Sequence, residues 1–199
     1  MFDVGTIIDL HYKTVELWHQ QCCDDDVLSD FWVLVREQHR RNFDLWHEED
    51  IARSPDVSDA EIARVKRSID HLNQERNDHI EKLDAAILEL LDQYDVEPLP
   101  NAPLNTETPG SAIDRLSIMS LRIYHMKEQI HRDGVSEDHR EKARQRLARC
   151  LEQHRDLSQS LTELLGDLFA GRKYLKVYHQ FKMYNDPTMN PYLYKRKAA

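Results

Sequence analysis

The chain has 199 residues, a net charge of −9 and only five Gly and seven Pro. No segment approaches the roughly 20 apolar residues of a membrane span, which excludes that class, and the acidity argues against nucleic acid as a partner of the whole surface. Three scattered cysteines, Cys22, Cys23 and Cys150, offer neither a disulfide framework nor a C-x-x-C metal pair, which suits a reducing, cytoplasmic setting.

The start, MFDVGTIIDLHYK, lacks the basic segment and apolar run of a signal peptide. Instead Ile7, Leu10, Val15, Leu17 and Trp18 give one apolar face to a first helix, from about Val4 to Gln21. Asp24, Asp25 and Asp26 interrupt the pattern and can cap the next helix, whose positive end they suit. That second helix runs from about Val27 to Arg53. It stops at Ser54–Pro55, since the residue before a proline disfavours helical geometry.

Residues 56–97 contain neither Gly nor Pro. A third helix is expected from Asp59 to about Tyr94, opened by Ser58 and Glu61 at the spacing of a capping box, in which each side chain satisfies a free backbone N–H. At 1.5 Å per residue it is about 54 Å long, and a helix of that length needs a partner along it. The second helix, antiparallel, is the expected partner. Residues 96–109 hold Pro98, Pro100, Pro103 and Pro109 and form the longest irregular connection. A fourth helix follows from Pro109 to about Arg132, stopped by Asp133–Gly134, and a fifth from Ser136 to about Ala170. Past Gly171, Tyr174, Tyr178 and Phe181 recur at helical spacing.

The expected fold is therefore all-α: an elongated bundle of about five main helices over residues 1–171, two of them long and antiparallel, with a basic, tyrosine-rich helical tail over 172–199. Residues 172–197 carry seven Lys or Arg against one acid, Asp186, a net of +6, which leaves −15 on the rest of the chain. The tail is expected to pack back on that acidic body.

Polar residues inside apolar stripes mark the candidate sites. Arg76 interrupts the seam of the third helix, with Asn73 and Asn77 beside it, and the hairpin register sets His39 and Asn42 opposite this stretch. A buried Arg without a partner is costly, so Arg76 needs a carboxylate (Asp70, Asp78 or Asp114) or a bound anion. The ordinary reading is a satisfied network that fixes helix register; the functional one is a ligand-binding layer.

The second candidate is the loop 105–111. Thr108 is the expected N-cap with Pro109 at the first helical position. Gly110 removes the side chain that would keep a ligand from the free N–H groups, and Thr108, Ser111 and Arg115 add donors. Ordinary capping, with Asp114 satisfying the helix dipole, is one reading; the other is an anion pocket bounded by residues 105–115, which uses donors beyond those capping requires, although Glu107 and Asp114 repel an anion unless they hold a bridging cation. Tyr124 would orient a ligand, Lys127 would neutralise it, and Asp114 or His125 are the acid–base candidates. His47 and Asp50 at i,i+3, with Asp78, are the candidate ligands of a divalent metal, although acid-rich helix faces are ordinarily just solvated. Trp18, Trp32 and Trp46 read as core anchors. There is no Walker loop, dinucleotide fingerprint or nucleophile elbow.

The runs LWHEED (45–50), NQERND (73–78), NTETPGSAIDRLSI (105–118) and KMYNDPTMNP (182–191) resemble one family of uncharacterised bacterial proteins of about this length, a domain of unknown function. The resemblance implies an all-helical fold and a setting in envelope-glycan metabolism, and it brings no catalytic residue. The leading expectation is binding of a phosphorylated small molecule, a nucleotide or sugar phosphate, with turnover left open. The alternative is a non-enzymatic adaptor that self-associates or pairs with a glycan-pathway enzyme. Binding of nucleic acid or anionic lipid by the basic tail ranks below both.

Overall fold

The computed structural model describes residues 3–21, 29–180, 183 and 186–194. Five long helices, α1 (Val4–His19), α2 (Asp30–Ala52), α3 (Asp59–Gln93), α4 (Pro109–His131) and α5 (Glu137–Phe169), precede one short turn of helix, α6 (Pro191–Tyr194). Among the described residues there is no strand, only an isolated parallel bridge between Leu104 and Tyr174. The fold is all-α. The expected Asp24–Asp26 cap, the start of α2 at Val27, Cys22, Cys23 and Phe181 lie outside the described residues.

The helix starts follow from capping chemistry. Asp3, Ser58, Thr108 and Ser136 each accept a hydrogen bond from a first-turn N–H of the helix they precede. The capping box at Ser58 is only half formed. Glu61 donates its N–H to Ser58 Oγ, but its carboxylate pairs with Arg64 instead of reaching back.

Helices α2 and α3 pack as one hairpin and α4 and α5 as another, while α1 lies against α2, α4 and α5. Helix α4 touches all four other long helices. Eleven of its 23 residues are buried, Asp114, Ser117 and Ser120 among them. Ile113 and Leu116 of α4 meet Ile7, Val35, Leu83 and Leu161 from the other four helices in the largest apolar cluster. Full burial of each such side chain contributes about 1.5–3 kcal/mol, so α4 is the axis around which the bundle closes.

The 96–109 connection is held by the chain that follows α5. Leu99 N–H donates to Gly171 O, Tyr174 N–H to Pro103 O, and Asn105 N–H to Tyr174 O. Gly171 has φ +68, and a Cβ there would stand 2.5 Å from Glu97 O, so the crossing needs glycine. Leu175 is buried with Ile87, Leu164 and Leu168. The start of the tail does pack on the bundle, but as an extended segment, not the helix expected from the tyrosine spacing. Tyr174 is half-buried, whereas Tyr178 is 73% exposed.

Candidate functional site

Arg76 of α3 faces Asp114 of α4 in a two-pronged contact. Nε donates to Oδ1 at 2.7 Å and Nη2 to Oδ2 at 2.5 Å. Of the three carboxylates that could have met it, Asp70 pairs with Lys66 and Asp78 accepts from Gln74. The Asp114 side chain is 5% exposed and that of Arg76 26%, and fork-to-fork geometry is the arrangement that best offsets the desolvation of two such charges.

Helix α2 completes the network. Gln38 and Asn42 amides donate to Asp114 Oδ1 at 2.6 and 2.9 Å, and Asn42 also donates to Ser117 Oγ at 2.9 Å. His39 Nδ1 lies 2.6 Å from Ser117 Oγ, and its Nε2 lies 3.1 Å from the His11 carbonyl. A carbonyl only accepts, so Nε2 carries the proton and the Ser117 hydroxyl donates to Nδ1. Ser117 and His39 thus have the geometry of a nucleophile and its base, but both are fully buried and no substrate can reach them. Burial lowers the His39 pKa to about 3, against the smaller opposing effect of its bond to the His11 carbonyl. His11, its ring tilted against that of His39 with centroids 4.4 Å apart, is also driven well below the usual histidine range by burial, then by His39 and His154.

This layer corrects two expectations. It joins α2 to α4, with α3 contributing Arg76, because α4 lies against the α2–α3 hairpin and supplies the acceptors. Asp114 accepts four hydrogen bonds and is closed off, so it anchors the layer and is unavailable as an acid–base group.

The start of α4 is also filled from within. Gly110 N–H donates to the buried carboxylate of Asp84 at 2.6 Å. A Cβ on Gly110 would lie 2.6 Å from Ile80 O and 2.7 Å from Asp84 Oδ1. Gly110 therefore lets α4 approach α3, and Asp84 takes the place expected for a bound anion at the positive helix end. Burial raises the pKa of Asp84, opposed by the Thr108 hydroxyl and the Gly110 amide. Thr108 and Ser111 bond to each other in the cap. Arg115, expected to point into this pocket, is exposed and held by Glu107 at 2.5 Å.

An open cleft of about 390 Å³ runs between α2, α3 and α4, outside the Arg76–Asp114 pair. Asn42, Trp46, Arg53, Asn73, Arg76 and Arg122 contribute to its lining, as do Glu49 and Asp50. Arg53 is engaged by Glu49 at 2.8 Å and Asn73 donates to Ile69 O on its own helix. Arg122 is exposed, and its closest hydrogen-bond partner is the thioether of Met119 at 3.8 Å. It also lines a second hollow with Glu107 and Arg115. Asn77, half-buried on α3, is not part of the cleft lining.

The structure brings Asn73 and Arg76 together in this cleft and leaves Thr108, Gly110, Ser111 and Arg115 elsewhere. Tyr124 stacks on His19 at 4.1 Å, and the Lys127 ammonium lies 5.8 Å from the Tyr12 ring. Arg122 was missed in the sequence, although it lies seven residues after Arg115 and so on the same helical face. Among the described residues the cluster that could hold a metal joins His47 to His19 and His125, not to Asp50 and Asp78, one ring nitrogen of each lying within 4.8 Å of the others. Trp18 and Trp46 pack against the cluster of Val15, Phe43 and Leu121, and Trp32 against the main core.

No helix is long and apolar enough to cross a membrane among the described residues. No curated protein and no solved structure matches the chain. A family profile, described as a protein of unknown function, matches residues 32–177, from the first turn of α2 to the packed start of the tail. This chain belongs to that family, DUF4254.

Proposed function

We propose that the protein binds a small phosphorylated molecule, of the nucleotide or sugar-phosphate class, in the cleft between α2, α3 and α4. The observation that carries this reading is the meeting of Arg76, Arg122, Asn42 and Asn73 beside Trp46 in the lining of one cleft. The cleft has the size usual for a small-molecule site, about 300–1,000 Å³, and its largely polar lining suits a polar, charged ligand. Arg76 uses two of its nitrogens on Asp114 and no hydrogen bond among the described residues uses Nη1, which leaves that edge for a ligand oxygen. Arg122 lacks a carboxylate partner among the described residues and supplies the second positive charge. Glu49 and Asp50 on the rim disfavour a bare anion and favour a ligand with hydroxyls or a bridging magnesium ion.

Calorimetric titration with sugar phosphates and nucleotide sugars, with and without magnesium, tests the reading. Saturable heat that Arg122→Ala weakens about tenfold or more, the size of one charge-assisted hydrogen bond, supports it. Absence of heat with every compound sinks it.

The adaptor reading rests on a different observation. Tyr178, Met183, Met189 and Tyr192 of the tail are 55–87% exposed, a density of apolar surface that protein contacts use. A concentration-dependent dimer in sedimentation that dissolves on removal of residues 178–199 would favour it.

A further inference from the structure

His19 at the end of α1, His47 on α2 and His125 on α4 meet at one place, far apart in sequence. Their rings pack with centroids 5.2 Å (His19–His47), 5.1 Å (His19–His125) and 6.0 Å (His47–His125) apart. Each ring is oriented through Nδ1. His19 Nδ1 lies 2.7 Å from Val15 O and His47 Nδ1 lies 2.8 Å from Phe43 O. His125 Nδ1 lies 2.7 Å from the Glu128 carboxylate. All three partners are acceptors, so Nδ1 carries the proton on every ring and Nε2 keeps a bare lone pair. The Nε2 atoms of His19 and His125 are sequestered from solvent without a hydrogen-bond partner, and buried polar atoms left in that condition require an explanation.

We propose that His19, His47 and His125 form a binding site for one divalent transition-metal ion, held by the three Nε2 atoms, with zinc the best-suited occupant. A metal-bound histidine typically donates its other ring N–H to a carbonyl or carboxylate, which fixes tautomer and orientation. All three rings already meet that condition, and Glu128 behind His125 forms a carboxylate–histidine–metal arrangement. Imidazole donors without thiolate suit Zn²⁺, Ni²⁺, Cu²⁺ and Co²⁺ over calcium or magnesium. Three protein ligands leave a fourth tetrahedral position for water or a ligand oxygen. Nitrogens around such an ion stand roughly 3.3 Å apart, given metal–nitrogen bonds of about 2.0–2.1 Å, so binding draws the rings inward from their present spread.

The surroundings hold the rings in place. Trp46 stacks on His125 at 4.7 Å and 10°, Tyr124 on His19 at 4.1 Å and 17°, and Phe43 packs on both His19 and His47. Burial lowers the proton affinity of His19, as do His125 and His47, against the opposing effects of the Val15 carbonyl and Glu128. At His19 this favours neutral imidazole, the form that binds a metal. Each of the three residues is only half-buried, so an ion has a route in. Trp46 also lines the cleft, which sets the metal site behind its aromatic wall. The site does not depend on what the cleft binds, and the test uses the metal alone.

The full chain, stripped with chelator and returned to metal-free buffer, is titrated with Co²⁺ and then Zn²⁺. The expected result is one equivalent of Co²⁺ with the intense visible bands of four-coordination, displaced by zinc, and a higher melting temperature. His47→Gln and His125→Gln weaken uptake by about a hundredfold, and Glu128→Gln, on the surface, by about 10- to 100-fold because the carboxylate that orients and polarises the His125 ring is gone. His131→Ala, exposed on the same helix, changes nothing. Circular dichroism of the apo variants shows which of them fold, and Glu128→Gln serves where a histidine variant does not. A wild-type spectrum without ligand-field bands overturns the proposal whatever the variants do. So does uptake that is unchanged in Glu128→Gln and in every folded histidine variant.

Discussion

Arg76 and Asp114 sit 38 residues apart in sequence and share two parallel hydrogen bonds across the α3–α4 interface. Around them Gln38, Asn42, Ser117 and His39 form an unbroken polar path that ends at the carbonyl of His11. The path ties α1, α2, α3 and α4 to one register. A slip of α4 by one residue would break every bond that Asp114 and Ser117 make in it.

Arg76→Leu leaves Asp114 buried with only the amides of Gln38 and Asn42. Removing one partner of a buried pair costs about 3–5 kcal/mol, read as a lower midpoint in denaturant unfolding. The double variant Arg76→Leu/Asp114→Leu should recover most of that loss, since no charge is then stranded. A silent Arg76→Leu would mean that the pair contributes nothing to stability.

Gly110→Ala tests the close approach of α4 to α3. The new methyl meets the Ile80 carbonyl and the Asp84 carboxylate, and overpacking against backbone costs about 1–3 kcal/mol. In an exposed helix the same change would stabilise by up to about 1 kcal/mol, so the sign of the change in melting temperature decides.

Acid should destabilise the fold before most carboxylates titrate. Both His11 and His39 are held neutral in the native state, their proton affinity lowered chiefly by burial, while in the unfolded chain they titrate near the usual 6.5. Below that value the unfolded chain binds protons that the native state refuses, so stability falls as pH drops from 6.5 toward about 3. The slope is roughly 1 kcal/mol per pH unit for each imidazole. His154 and His19, also lowered by burial, add the same sign. Unfolding midpoints at pH 7.5, 6 and 5 would reveal the slope, and His39→Gln should flatten it.

Leu175→Ala probes the docking of the tail. Leu175 fills a cluster with Ile87, Leu164 and Leu168, and truncating a buried leucine costs about 2–5 kcal/mol. Tyr178→Ala, a few residues on and exposed, should leave the unfolding free energy within about 0.5 kcal/mol of wild type. Equal effects would mean that the tail does not dock through Leu175.

The helices were legible in the sequence because their determinants are local. The Gly- and Pro-free span 56–97, the caps at Ser58, Thr108 and Ser136, and Pro109 at the first turn act through neighbours within four residues, and α3, α4 and α5 begin where those residues lie. The need of Arg76 for a carboxylate was legible too, since desolvation makes that demand whatever the fold. Which carboxylate answered was decided by how α4 seats against the α2–α3 hairpin. The same seating turned Gly110 from a ligand approach into a helix crossing and gave the helix end to Asp84. It also brought His47 to His19 and His125. Spacing along one helix sets which side chains share a face; only the packing of α1, α2 and α4 decides which faces meet, and the three imidazoles come together there.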